Sequence, residues 1–273
     1  MVRSLWSAAT GMNAQQTNVD TIANNLANVN SMGYKAQEAE FKSLLYQTLQ
    51  TKSTVENAGQ PPVNSDVGLG VRTASINSRF TQGAFLDSAS NTAFAIGGDG
   101  FFAYRNDRGE QVYTRNGDFI WAIAQNGTND ITLTTSEGYH VLDSQGREIT
   151  LRNMVSNRVV VDADGNIQYP DANNVPQNTG FQIGRWQFNN PTGLERVGDT
   201  SFLPTQASGQ PMNELTQQNL QRSVIRQGYL EGSNVNVATE MVNLIVAQRA
   251  YEMNSKAITT TDEMMQTANN LKR

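Results

Sequence analysis

The residues able to do chemistry are few and scattered. His140 is the single histidine, and the chain contains no cysteine. A Ser–His nucleophile would have to use His140, which sits in Glu137-Gly138-Tyr139-His140-Val141-Leu142, a stretch that reads as a strand edge after a turn. With one histidine and no thiolate, a zinc site would have to be built almost wholly from carboxylates, which is unusual. Gly97-Gly98-Asp99-Gly100 satisfies neither the dinucleotide pattern nor the P-loop pattern and precedes an apolar run, so it reads as a tight β turn. Asp162-Ala163-Asp164-Gly165-Asn166 has the look of a calcium loop, but the sixth and twelfth positions are Ile167 and Asn173, where the loop needs Gly and Glu. It reads as a hairpin turn. The acidic pairs Glu38/Glu40 and Asp262/Glu263 lie in polar stretches and read as solvated surface. No catalytic, cofactor-binding or metal-ligating set is predicted.

If chemistry is absent, the function must lie in the elements themselves. At 273 residues the chain is long enough for two domains. It is 38% hydrophobic but only 16% charged, with a formal net charge of −5. Low charge suits a surface that neighbours will cover. The negative balance, with no run of Lys or Arg, argues against nucleic acid. Asn13, Gln15, Gln16 and Asn18 interrupt any apolar run near the N-terminus, so no cleavable signal is expected there. No stretch reaches the length of a membrane span.

The two ends read as helices and the middle does not. From Leu5 onward, positions 5, 8, 12, 15, 19, 22, 26 and 29 alternate spacings of three and four, a heptad seam carrying Leu5, Met12, Val19, Ile22, Leu26 and Val29. Gly11 is its weak point, and Gly33 is placed to stop the helix. At the other end, Asn236 can cap a helix free of Gly and Pro to residue 273. Its seam runs Val237, Met241, Leu244, Gln248, Tyr251, Ser255, Ile258, Asp262 and Met265, widened by Ile245, Ala257 and Ala268. Some 35 residues span roughly 50 Å. Lys272 and Arg273 complement its C-terminal dipole. The polar seam positions suit a helix that touches several neighbours.

Between the helices, short apolar runs such as Phe94-Ala95-Ile96, Phe101-Phe102-Ala103-Tyr104, Val159-Val160-Val161 and Phe181-Gln182-Ile183 alternate with turn signals at Asn116-Gly117, Asn126-Gly127, Gln145-Gly146 and Asp164-Gly165. No strand–helix alternation appears, so a parallel α/β sheet is not expected. The predicted class is α+β: a discontinuous, coiled-coil-like helical domain from residues 1–36 and 230–273, and a central mainly-β domain over 71–229 with its outer part near 91–184. Residues 37–70 are expected to be an extended linker or insertion, irregular from about 51 to 70. Two terminal helices, each with an apolar stripe to bury, are expected to pair.

Two segments carry a resemblance. Ile22-Ala23-Asn24-Asn25-Leu26-Ala27-Asn28-Val29-Asn30-Ser31-Met32-Gly33-Tyr34-Lys35 resembles the N-terminal signature of flagellar rod and hook axial proteins. Ser233-Asn234-Val235-Asn236-Val237, continuing through Gln248-Arg249-Ala250-Tyr251-Glu252-Met253-Asn254-Ser255-Lys256-Ala257, resembles the C-terminal one. Phe80-Thr81-Gln82-Gly83, Gly100-Phe101-Phe102 and Tyr113 through Phe119 extend the similarity, which is weakest over 120–180. Phe41 through Thr48, followed by a long insertion before Gly68-Leu69-Gly70-Val71, resembles the distal-rod branch. Trp121-Ala122-Ile123-Ala124 and the stretch 128–135 depart from it and leave a proximal-rod or hook-like paralogue open. The resemblance implies a structural subunit and no enzyme. It implies type III export, a tube of like copies crossing the periplasm, and contacts with other rod proteins, the hook and the surrounding ring proteins. The polymer interface would then be the apolar seam residues Leu5, Met12, Val19, Ile22, Leu26, Val29, Met241, Leu244, Ile245, Tyr251, Ile258 and Met265. Residues 52–66 are expected to fill the gap between stacked subunits and stiffen the tube. The competing classes are a secreted enzyme with a β domain and a secreted adhesin-like structural protein.

Overall fold

A computed structural model describes residues 2–50, 65–123, 129–171, 175–198, 200–217 and 219–271. The chain divides into two compact units. The first takes residues 1–27, 37–78 and 236–273, and the second takes 28–36 and 79–235.

In the first unit, helix α1 spans Val2–Ala27 and helix α2 spans Val237–Asn270. The two pack against each other, so elements more than two hundred residues apart in sequence share one core. Asn236 caps α2 as its residue type predicts, its side chain accepting from the Thr239 N–H at 3.2 Å. Lys272 and Arg273 lie outside the described residues. Helix α1 ends earlier than the seam predicts, so Val29 lies beyond it. The physical reason is local. Asn28 and Ser31 bond each other through their side chains at 3.0 Å, and the Ser31 N–H donates to Asn28 O, which offers the backbone a turn in place of another helical residue. Gly33 is therefore not the helix stop. It adopts φ +70° and donates its N–H to Glu231 O at 2.7 Å, and a Cβ there would lie 2.6 Å from the Asn116 backbone nitrogen.

The segment expected to be an irregular linker is a β ribbon where it is described. Strand β1, Gln37–Ser43, pairs antiparallel with β4, Val71–Ser78, from Gln37↔Ser78 to Ser43↔Val71. Strand β2, Tyr46–Gln50, pairs with β3, Ser65–Gly68. Alternation drives it: Ala39, Phe41, Val71 and Thr73 are half-buried while Glu38, Glu40, Lys42 and Arg72 face water. Prolines 61 and 62 pointed away from strand, but they sit between the strands, in 51–64, outside the described residues. Residues 71–78, which the sequence assigns to the central domain, belong to this ribbon, and 28–36 belong to the second unit.

The second unit is antiparallel throughout. Its main sheet runs in the order Thr150–Leu151, Ile131–Thr135, His140–Val141, Phe102–Arg105, Gln111–Thr114, Ser201–Leu203, Glu195–Arg196, with Phe119–Ile123 also paired to Ile131–Thr135. Successive residues point to opposite faces, and both faces are covered. Phe102, Phe119, Leu133, Val141, Ile183 and Ile225 fill one core, while Phe101, Ala103, Tyr113, Leu142, Phe188 and Phe202 fill the other. The aromatic rings meet edge to face, as at Tyr113–Phe188 with centroids 4.9 Å apart. Asp162-to-Asn166 is a hairpin turn, with the Gly165 N–H donating to Asp162 O at 2.8 Å. His140 is an exposed strand residue paired with Thr134 and Arg105.

Candidate assembly interface

Helix α1 is covered from two directions. Helix α2 packs along it, and the β1/β4 ribbon packs on it as well. Its buried positions are Ala8, Ala14, Thr21, Ile22 and Asn25. Where the ribbon meets α1, Thr10 Oγ1 accepts the Val71 N–H at 3.3 Å, and a Cβ on Gly70, at φ +112°, would lie 2.1 Å from that oxygen. Gly11 has a reason too. A Cβ there would come within 2.9 Å of Asn254 Nδ2, so the missing side chain makes room for the facing helix.

On α2 the covered face differs in phase from the expected seam. Ala247 and Thr261 are the buried residues, with Leu244, Asn254, Ile258 and Met265 half-buried beside them. Small side chains let α1 approach closely, so they mark the covered face. Polar seam residues stay paired within their own helix: Thr261 Oγ1 donates to Ala257 O at 2.7 Å and Thr21 Oγ1 to Thr17 O at 2.8 Å.

The structure divides the predicted site residues accordingly. Ile22 is buried, and Leu5, Met12, Val19, Leu26, Leu244, Ile258 and Met265 are half-buried. Met241, Ile245 and Tyr251 are exposed. Val29, half-buried, sits in the turn after α1 and belongs to the second unit. An open groove of about 540 Å³ runs between the helices beside Gln16, Val19, Gln248, Tyr251 and Glu252.

Sequence reading missed a second stripe. Val242, Val246, Met253 and Met264 stand on the outer side of α2 and are all exposed, Val246 at 62% and Met253 at 67%. Arg249 lies between them, ion-paired to Glu252 at 3.1 Å with both groups exposed. The signal was present, because 242, 246, 249, 253, 260 and 264 fall on one helical face, but a search for one seam stops at the first. Ile245 and Met241 flank this stripe. Trp6 on α1 and Leu45 and Tyr46 on the ribbon are exposed as well. Among the described residues no helix is long and apolar enough to cross a membrane, and no group of three or more His, Asp or Glu is placed to hold a metal ion.

The second unit buries several charged groups. Glu231 is fully buried, and its Oε1 accepts from Lys35 Nζ at 2.6 Å and from the Gly83 N–H at 3.0 Å. Its Oε2 faces Arg115 Nη1 at 3.3 Å, and Lys35 Nζ also donates to Thr81 O at 2.8 Å. Burial holds the Lys35 ammonium below its ordinary pKa despite Glu231, with Arg115 adding to the depression. A second buried carboxylate, Glu214, accepts from Gln187 Nε2 at 2.8 Å and from the Ser223 N–H at 2.9 Å. Both carboxylates are surrounded by donors of this chain, so they read as structural ties.

Comparisons with known proteins agree with the two signatures. Residues 5–35 match the family described as flagella basal body rod protein, 95–169 the flagellar hook protein FlgE/F/G D1 domain, and 226–271 the flagellar basal body rod FlgEFG protein C-terminal region. The chain is 43% identical to the flagellar basal-body rod protein FlgG of Borreliella burgdorferi, with 100% of each chain covered. It is 39% identical to that of Agrobacterium fabrum over 96% of this chain and 97% of the relative, and 35% identical to that of Bacillus subtilis over 100% of both. The chain belongs to the flagellar basal-body rod protein family.

Proposed function

We propose that this chain is a distal-rod subunit that polymerises through its terminal helices into a straight, hollow shaft. The observation that carries the reading is the two-faced α2. One face is small and covered by α1, and the other presents Val242, Val246, Met253 and Met264 bare. An isolated chain gains nothing from such a stripe, whereas a tube of copies buries it against neighbouring helices. The partners are copies of this chain, the other rod proteins and the hook at its ends, the surrounding ring proteins, and the flagellar export apparatus, which passes the chain without cleaving a signal. The shaft transmits torque and its lumen passes later subunits. The role is mechanical, with no catalytic step and no cofactor.

The distal assignment is supported by similarity along the whole chain to relatives named FlgG and by the long ribbon between Gln37 and Ser78. Residues 51–64 lie outside the described residues, Ser65 and Asp66 begin β3, and the stiffening role of 52–66 remains part of this proposal. Two measurements test it. Concentrated full-length protein should form straight tubes by electron microscopy, and cells lacking the chain should hold a truncated rod without a hook. Monodisperse protein at all concentrations, or hooks in the deletion strain, would refute it.

A further inference from the structure

The chain passes between its two units four times, after residues 27, 36, 78 and 235. Within the second unit, one side chain ties three of these passages together. Asn234 Oδ1 accepts the Ala36 N–H at 2.7 Å. Asn234 Nδ2 donates to Arg79 O at 2.7 Å, to Thr81 O at 3.2 Å and to Thr81 Oγ1 at 2.9 Å. The Arg79 N–H in turn donates to Ala36 O at 2.8 Å. Residues 36, 79 and 234 are therefore laced where each segment leaves the unit. A primary amide suits the place because it carries an acceptor and two donors on one short stem.

Within the first unit, Asn25 does the corresponding work. Its Oδ1 accepts the Gln37 N–H at 2.8 Å, and its Nδ2 donates to Gln37 O at 2.8 Å and faces Glu240 Oε2 at 3.3 Å. Asn25 is 2% exposed. It joins the last turn of α1, the first residue of β1 and the first turn of α2, while Gln37 pairs with Ser78 at the end of β4. All four passages are thus gathered by two asparagines, one in each signature segment. Behind Asn234, Gly33 and Lys35 are both bonded to Glu231, which anchors the lacing to the buried charge cluster.

We propose that Asn25 and Asn234 bind the crossing segments into one load-bearing tie on each side, so that torque passing between the units is shared by four strands and no single peptide link carries it alone. Strands loaded in parallel must yield together, which raises the load the connection withstands. The load rests on the rod-subunit reading, whereas the lacing is a property of the isolated chain.

Hydrogen exchange on monomeric full-length protein tests the lacing. Asn234→Ala should make the Ala36 amide exchange about tenfold faster or more, with Arg79 following and Phe102–Arg105 unchanged. Asn234→Asp keeps the acceptor and should retain protection at Ala36 while loosening Arg79. No change at Ala36, or uniform acceleration that includes Phe102–Arg105, would overturn the lacing. The load is tested in cells whose only copy carries Asn234→Ala. Hooks should form in normal number and swimming in water should match the parent, with propulsion failing in viscous medium. Equal swimming under load overturns the load-sharing role. Missing hooks despite a folded monomer would place Asn234 in assembly, which overturns it as well. Failure of the unaltered chain to form tubes would refute the rod reading and leave exchange to decide the lacing.

Discussion

The two units handle apolar surface in opposite ways. In the second, Phe94, Phe101, Phe102, Tyr113, Phe119, Leu133 and Phe202 are all essentially inaccessible, and Lys35, Arg115 and Glu231 are paired inside. In the first, α2 buries only Ala247 and Thr261 among its described residues, while valines and methionines stand in water. One unit completes its core within the chain, and on the proposed rod reading neighbours complete the other. A core large enough to stand alone fixes its own side chains, whereas a thin helical pair would gain stability from the assembly proposed above.

The contrast predicts where stability resides. Phe102→Ala should cost about 3–5 kcal/mol in urea unfolding of the monomer, because a fully buried ring leaves a cavity. Val246→Ala should leave the same transition unmoved. A large loss at Val246 would mean the outer stripe already has a partner within the chain.

Next in size is the buried cluster. Glu231→Gln leaves Lys35 and Arg115 without their carboxylate and should cost about 3 kcal/mol in thermal unfolding. Removing Glu252, whose pairing with Arg249 is exposed, should cost nothing measurable. Equal effects would erase the distinction between the two regions.

Glycine to alanine should change sign between the units. Gly33→Ala meets both a left-handed φ and the Asn116 backbone, and should destabilise by about 2 kcal/mol or more. Gly11→Ala meets only the end of the Asn254 side chain, which can turn aside, and it gains up to about 1 kcal/mol of helix propensity. Circular dichroism should show α1 unchanged or strengthened.

The smallest effect is alkaline. Burial raises the Tyr104 hydroxyl above its ordinary 10.0, so the folded state holds that proton more tightly. The stability this contributes is present below 10.0 and is lost as pH rises through the raised value. Lys35 acts in the opposite sense: its pKa is depressed below 10.5, so its share of stability grows as pH climbs toward 10.5. Tyr104→Phe should therefore lose less stability than the parent between about pH 9 and about pH 11, measured as the urea midpoint. An identical loss would remove Tyr104 from the alkaline transition.

Much of this was legible in the residues. The helical ends, the Asn236 cap, the α+β class and the turn at Gly165 follow from periodicity and turn chemistry. What was not legible has physical reasons. On α2 the covered face shares Leu244, Ile258 and Met265 with the expected seam, but Ala247 and Thr261 are buried where the heptad points to Gln248 and Asp262, because close helix approach favours small side chains. The ribbon was obscured by Pro61 and Pro62, which interrupt the sequence but not the pairing on either side. Val29 continued the heptad on paper, yet Asn28 and Ser31 offered the backbone a better turn. The roles of Asn25 and Asn234 could not be read at all, since each joins segments that only the fold brings together.

The central claim is that the bare face of α2 is the surface through which copies join. Its most direct measurement is assembly of full-length Val246→Asp/Met253→Asp, followed by sedimentation and electron microscopy alongside the monomer's unfolding curve. The expected result is no tube at any concentration with an unfolding midpoint equal to the parent's, because both charges would enter an interface that excludes water. Normal straight tubes from the double variant would contradict the account.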